Sequence, residues 1–113
     1  MFQRSHCWLP LTRVGVPLVL GTDAGVLAHG KNAQELAALV DAGLSPTEAL
    51  RAATVDAAAL LGLEDVGEIR VGAAGDLVVV EGNPLRDIHV LERQVLVVKG
   101  GRYQTTSPAS RAR

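Results

Sequence analysis

Gly15-Val16-Pro17-Leu18-Val19-Leu20-Gly21-Thr22-Asp23-Ala24-Gly25 is the stretch on which the fold turns. Val16–Leu20 is a short continuous apolar run between two glycines. That pattern suits a strand buried on both faces, as in parallel sheets. Pro17 has no N–H to give and is tolerated only near the start of such a strand. The glycine-rich loop Gly21–Lys31 follows and sets Asp23 at the strand's carboxyl end. Binding sites of α/β folds gather there.

Helical signals come next. Asn32 reads as an N-cap with Glu35 reaching back to it, Leu36, Leu39 and Val40 share a face, and Gly43 ends the helix. Ser45, Pro46 and Glu48 form a stronger start, with Leu50, Ala53, Ala57, Leu60 and Leu61 as the buried face and Gly62 as the stop. The period then changes from 3.6 to 2. Ile69 and Val71 alternate with Glu68 and Arg70 in a half-exposed strand, Gly72–Gly75 turns the chain, and Leu77–Val80 is a fully apolar strand. Gly82, Asn83 and Pro84 break it. Val95–Val98, Gly100–Gly101 and Arg102–Thr105 make a hairpin with a tight two-residue turn. Met1–Thr12 shows no period, and Thr106–Arg113 reads as a loose tail.

Composition narrows the function classes. The 113 residues are 48% apolar, 20% charged and 3% aromatic, so the core is built from Ala, Val and Leu. A whole (β/α)₈ barrel needs roughly 250 residues and does not fit. Eleven basic against 12 acidic side chains leave no basic stripe for nucleic acid. No apolar run is long enough to cross a bilayer, and membranes are not an expected partner. A single cysteine, Cys7, excludes an internal disulfide and suits a reducing compartment. The expectation is a soluble cytoplasmic protein. A parallel-type strand with no parallel neighbour in the chain also points to a piece of something larger.

Asp23 is the sharpest chemical candidate. A carboxylate there can ligate a hard or borderline metal or accept a proton from metal-bound water, and the plainer alternative is a turn cap. His29, on the same loop, can ligate metal, shuttle protons or hold a substrate carboxylate, or simply face solvent. His6 and Cys7 are adjacent potential ligands without a partner motif. His89 lies in a polar connection and should be solvated. Asp76 precedes a strand and is expected to bond backbone N–H groups. Gly25–Asn32 nearly matches a phosphate loop, and Leu77–Val80 with Glu81 imitates a Walker-B strand. Asn32, however, stands where that loop needs a hydroxyl, and the order of elements after it is wrong.

The ordered set resembles a known family. Gly15–Gly25 is similar to the last barrel strand and metal-ligand turn of the amidohydrolase superfamily, in particular its prolidase-like and imidazolonepropionase-like members. The likeness runs through His29-Gly30, Asn32, Glu35-Leu36, Ala42–Pro46, Glu48–Leu50, Ala53-Thr54, Ala57-Ala58 and Leu61–Leu63. It continues through Val66–Ile69, Gly72, Gly75–Val80, Asn83–Leu85 and Val97–Gly101.

The resemblance implies an α/β fold. Residues 13–63 would be the last strand of a (β/α)₈ metal-dependent hydrolase barrel, its metal-ligand loop and two helices. Residues 64–105 would be strands of a small β-sandwich, with 1–12 fitting poorly and 106–113 disordered. It implies hydrolysis of amide or related C–N bonds, dipeptidase-like or cyclic-amide-like, through water activated by one or two divalent metals, commonly zinc. Asp23 would be metal ligand and proton carrier, His29 a substrate contact, and the substrate a small amide or dipeptide. The His-x-His pair, bridging residue and further histidines of the family's metal site have no counterpart here. The chain alone is therefore expected to be inactive unless those donors are supplied, and an orphaned barrel strand is expected to self-associate or pair with a complementary barrel segment. The competing class is a non-catalytic interaction module derived from the same fold.

Overall fold

Ser45 opens the best-defined helix. Its hydroxyl oxygen accepts from Glu48 N–H, and the Glu48 carboxylate accepts from Ser45 N–H at 2.8 Å, closing the expected capping box. The computed structural model describes residues 13–23 and 30–104. The expectations for Met1–Thr12, for the loop through His29 and for the tail fall outside these residues.

Among the described residues, three helices with assigned bounds are followed by a three-stranded antiparallel sheet. The helices are α1 (Gln34–Asp41), α2 (Pro46–Ala53) and α3 (Val55–Leu60). The strands are β1 (Leu77–Val80), β2 (Gln94–Lys99) and β3 (Arg102–Gln104), in the spatial order β1-β2-β3. A 3₁₀ helix, Ile88–Glu92, leads into β2. The core lies between α1, α2 and this 3₁₀ helix, where Leu36, Ala37, Ala49 and Ile88 form the buried cluster.

Several expectations change. Helix α1 starts one residue later than Asn32 as N-cap requires: Ala33 holds that position and no side chain caps it. The single helix expected after Ser45 is two. Thr54 breaks it at φ −128° and ψ −95°, with its hydroxyl donating to the Leu50 carbonyl at 2.7 Å. The break shifts the helical phase. Ala49, Ala52 and Ala58 are buried, while Leu60 and Leu61 stay 70% and 71% exposed.

Val16–Leu20 is irregular and its valines are exposed. Among the described residues no strand flanks it to complete its hydrogen bonds, and Leu20 N–H donates instead to the Ala52 carbonyl at 2.9 Å. Glu68–Val71 is not a strand either, for the same want of a neighbour. Leu77–Val80 is a strand, but its apolar side chains are largely exposed because no layer covers them. The sheet is open, and neither a closed barrel nor a second sheet forms among the described residues.

The hairpin follows its sequence. Gly100 and Gly101 have φ of +57° and +74°, the two positive values of a type I′ turn. β1 pairs with β2 through Leu77↔Val98, Val78↔Val97 and Val79↔Leu96, with an irregularity before Val80↔Gln94. That register brings Asp76, the residue before β1, to Lys99 and the hairpin turn.

Candidate functional site

The extended segment pinned by Leu20 runs through Gly21 and Thr22 to Asp23. Asp23 is exposed and holds a φ of +46°, the one positive φ on a residue other than glycine among the described residues. Left-handed backbone costs most side chains roughly 1–2 kcal/mol, and Asp tolerates it better than most. Residues 24–29, His29 among them, lie outside the described residues. His6 and Cys7 also lie outside.

No group of three or more His, Cys, Asp or Glu side chains is placed to hold a metal among the described residues. A catalytic zinc takes about three protein ligands plus a water. The described donor set, with Asp23 alone at the segment's end, does not fit a resident metal.

The other candidates have structural work. Asp76 Oδ1 accepts from Gly100 N–H at 2.8 Å, and Oδ2 accepts from the Lys99 ammonium. These bonds, Lys99 first, hold its carboxyl below the usual aspartate range. The expected bond to a backbone N–H is present, made across the sheet and not within a local turn. His89 is exposed, and its Nδ1 lies 2.7 Å from Glu92 Oε1, which raises the imidazole pKa. The strand Leu77–Val80 pairs antiparallel with β2, unlike a Walker-B strand in its parallel sheet.

A groove of about 490 Å³ opens between the helices and the sheet. Leu36 and Leu50 line one side, Val66 the loop, and Leu77 and Val78 the strand. Asp23 is not among its lining residues. Thr54, Glu68, Asp76 and Gln94 also line it, but each is hydrogen-bonded to a partner of its own, Leu50, Arg70, Lys99 and Leu91 respectively, so the groove reads as an apolar gap between layers. Beyond Asp23, the charged contacts the sequence left unread are Asp76–Lys99, Arg51–Asp56 and Glu68–Arg70. The first follows from the β1–β2 register once the pairing is known.

Residues 3–103 match the Amidohydrolase family, and the chain belongs to that family. It is 36% identical over 96 residues to ochratoxinase of Aspergillus niger, covering 80% of this chain and 20% of that protein. It is 45% identical over 71 residues to adenine deaminase 2 of Agrobacterium fabrum, covering 62% of this chain and 12% of that protein. Among solved structures, it superposes on a Xaa-Pro dipeptidase with bound methionine in the active site. The TM-score is 0.81 and the identity 40%, over 86% of this chain and 24% of that one. The chain thus spans a quarter or less of the length of these relatives. Among the described residues no helix is long and apolar enough to cross a membrane.

Proposed function

We propose that this chain is the C-terminal part of a metal-dependent hydrolase of amide or related C–N bonds, prolidase-like or imidazolonepropionase-like, whose site is completed by residues it does not contain. The observation that carries the reading is the family match over residues 3–103, supported by the 0.81 superposition on a dipeptidase. On this reading residues 13–63 are the last barrel strand, the metal-ligand loop and the helices that follow. Residues 64–105 are strands of a small sandwich, which accounts for a sheet with uncovered valines. The substrate is a small amide or dipeptide, and the pieces that bind it come mostly from other barrel loops.

Asp23 is the carboxylate this chain contributes to a divalent-metal site and the group that receives a proton there. Its left-handed backbone supports the assignment, because strained non-glycine residues concentrate at functional turns. His29 is a substrate contact on the same loop. With the remaining donors supplied, Asp23 would be one ligand of a divalent cation such as zinc, which would act as a Lewis acid.

Two measurements test this. Calorimetric titration of the isolated chain with zinc should show no tight stoichiometric binding; tight binding by the monomer contradicts the proposal. When the remaining barrel segments are supplied in trans and hydrolysis of amide substrates is restored, Asp23→Asn should abolish it. Unchanged turnover by that variant removes Asp23 from the site.

A further inference from the structure

The 3₁₀ helix Ile88–Glu92 seats on α1, where Ile88 joins Leu36 and Ala37 in the buried cluster. Three carboxylates surround this seat. Asp87 caps the 3₁₀ helix, its Oδ1 accepting from His89 N–H at 3.0 Å. Glu92 ends the 3₁₀ helix, and Asp41 is the last residue of α1. Among the described residues none of the three is paired with a lysine or an arginine, and the last turn of α1 carries no basic side chain. Their counter-charge is His89. Its Nδ1 lies 2.7 Å from Glu92 Oε1, and the charges of Asp87 and Asp41 also act on the ring.

The backbone of this 3₁₀ helix is loosely held. Val90 N–H reaches the Asp87 carbonyl at 3.3 Å and Arg93 N–H the Val90 carbonyl at 3.2 Å, long for such bonds. Residues i and i+3 eclipse in 3₁₀ geometry, so the contact between His89 and Glu92 spans one turn and braces it. Ile88 and Val90 are buried, whereas the His89 side chain is 59% exposed and takes up a proton without any opening of the core.

We propose that His89 is a proton-operated brace that tightens the 3₁₀ helix on α1 when charged and slackens it when neutral. The imidazolium offsets Glu92, Asp87 and Asp41 together. Once it is neutral, the three carboxylates repel one another without a counter-charge. The hydrogen bond to Glu92 foremost, then the charges of Glu92, Asp87 and Asp41, hold the folded imidazole above the ordinary histidine range. The brace is therefore complete below that ordinary range and is lost as pH rises through the raised folded value. The 3₁₀ helix leads directly into β2, so the proton acts on the join between the helices and the sheet.

Nuclear magnetic resonance of the whole chain tests this. The His89 ring should titrate above the ordinary range, and Glu92→Gln and Asp41→Asn should each lower its midpoint. Exchange of the Val90 and Arg93 amides, corrected for the intrinsic rate, should quicken about two- to threefold from about pH 5.5 to about pH 8, the size expected of an exposed pair. The Ala58 amide, bonded to the Thr54 carbonyl at the start of α3, is the reference and should not change. His89→Lys keeps its charge throughout and should exchange slowly at both ends of the range. His89→Gln carries none and should exchange fast at both. His89 is exposed, so neither change disturbs the core. A His89 midpoint at or below the ordinary range, exchange at Val90 and Arg93 that ignores pH, or a pH dependence that survives in His89→Gln each overturn the proposal. None of these readings involves Asp23 or hydrolysis, so the brace stands or falls apart from the function proposed above.

Discussion

Asp76 shows how one side chain ties distant parts of the sequence together. It sits 24 residues from Gly100, whose N–H it accepts, and it also accepts from Lys99. An unfolded chain offers neither partner, so the folded carboxyl titrates at lower pH than the unfolded one. Its contribution is complete above the ordinary aspartate range and is lost as acid titrates the group through that range to its lowered folded value. Thermal melts of wild type and Asp76→Asn should therefore differ near neutrality and converge in acid; a gap independent of pH refutes the tie. Gly75, one residue earlier, meets the same turn. A Cβ there would lie 2.8 Å from Gly101 N and 3.0 Å from its Cα, both backbone atoms that cannot rotate aside. Gly75→Ala should cost about 1–3 kcal/mol in urea unfolding and expose the Gly101 amide to exchange. Neither contact is legible from residues alone. Asp76 looked like a bonding partner for backbone, but the identity of that backbone follows only from the strand register.

At the scale of elements, local chemistry was readable and pairing was not. The Ser45-Pro46-Glu48 start and the Gly100-Gly101 hairpin carry their instructions within a few residues, and both form as read. Ser45→Ala should remove the cap and lower unfolding free energy by about 1 kcal/mol, measured by urea denaturation. An unchanged midpoint would show that Pro46 suffices to start α2. Val16–Leu20 and Glu68–Val71 carry strand patterns too, but a strand exists only through a neighbour, and hydrophobic pattern says nothing of whether one is supplied. The Thr54 break was also unread, since Thr is an ordinary helix residue whose hydroxyl happens to bond back to Leu50. That break explains why the expected face ending in Leu60 and Leu61 was misplaced while the alanines were buried.

For the whole molecule, the described core is thin. Eight apolar residues are buried and four of them are alanine, whereas Val78, Val79, Ile69 and Val71 face outward. The chain spans a quarter or less of the length of these relatives; on the function proposed above, its outward apolar surfaces are those on which the rest of a larger fold rests. The family was legible because motifs survive as an ordered series along the sequence. Of the proposed site the sequence offers only Asp23 and His29, because metal chemistry needs donors gathered from many strands and one carboxylate cannot announce the others.

Ala49, wholly enclosed, and Ala52 beside it have a last consequence for α2. Methyl groups at the contact let the helix axis approach its neighbours more closely than leucines would allow. Such a seam inverts the usual fragility of protein interiors. Trimming has almost nothing to remove, while any added carbon must push a whole helix outward. Substitutions larger than serine at these two positions should therefore destabilise the fold, while serine and glycine each carry a smaller penalty in an interior helical turn.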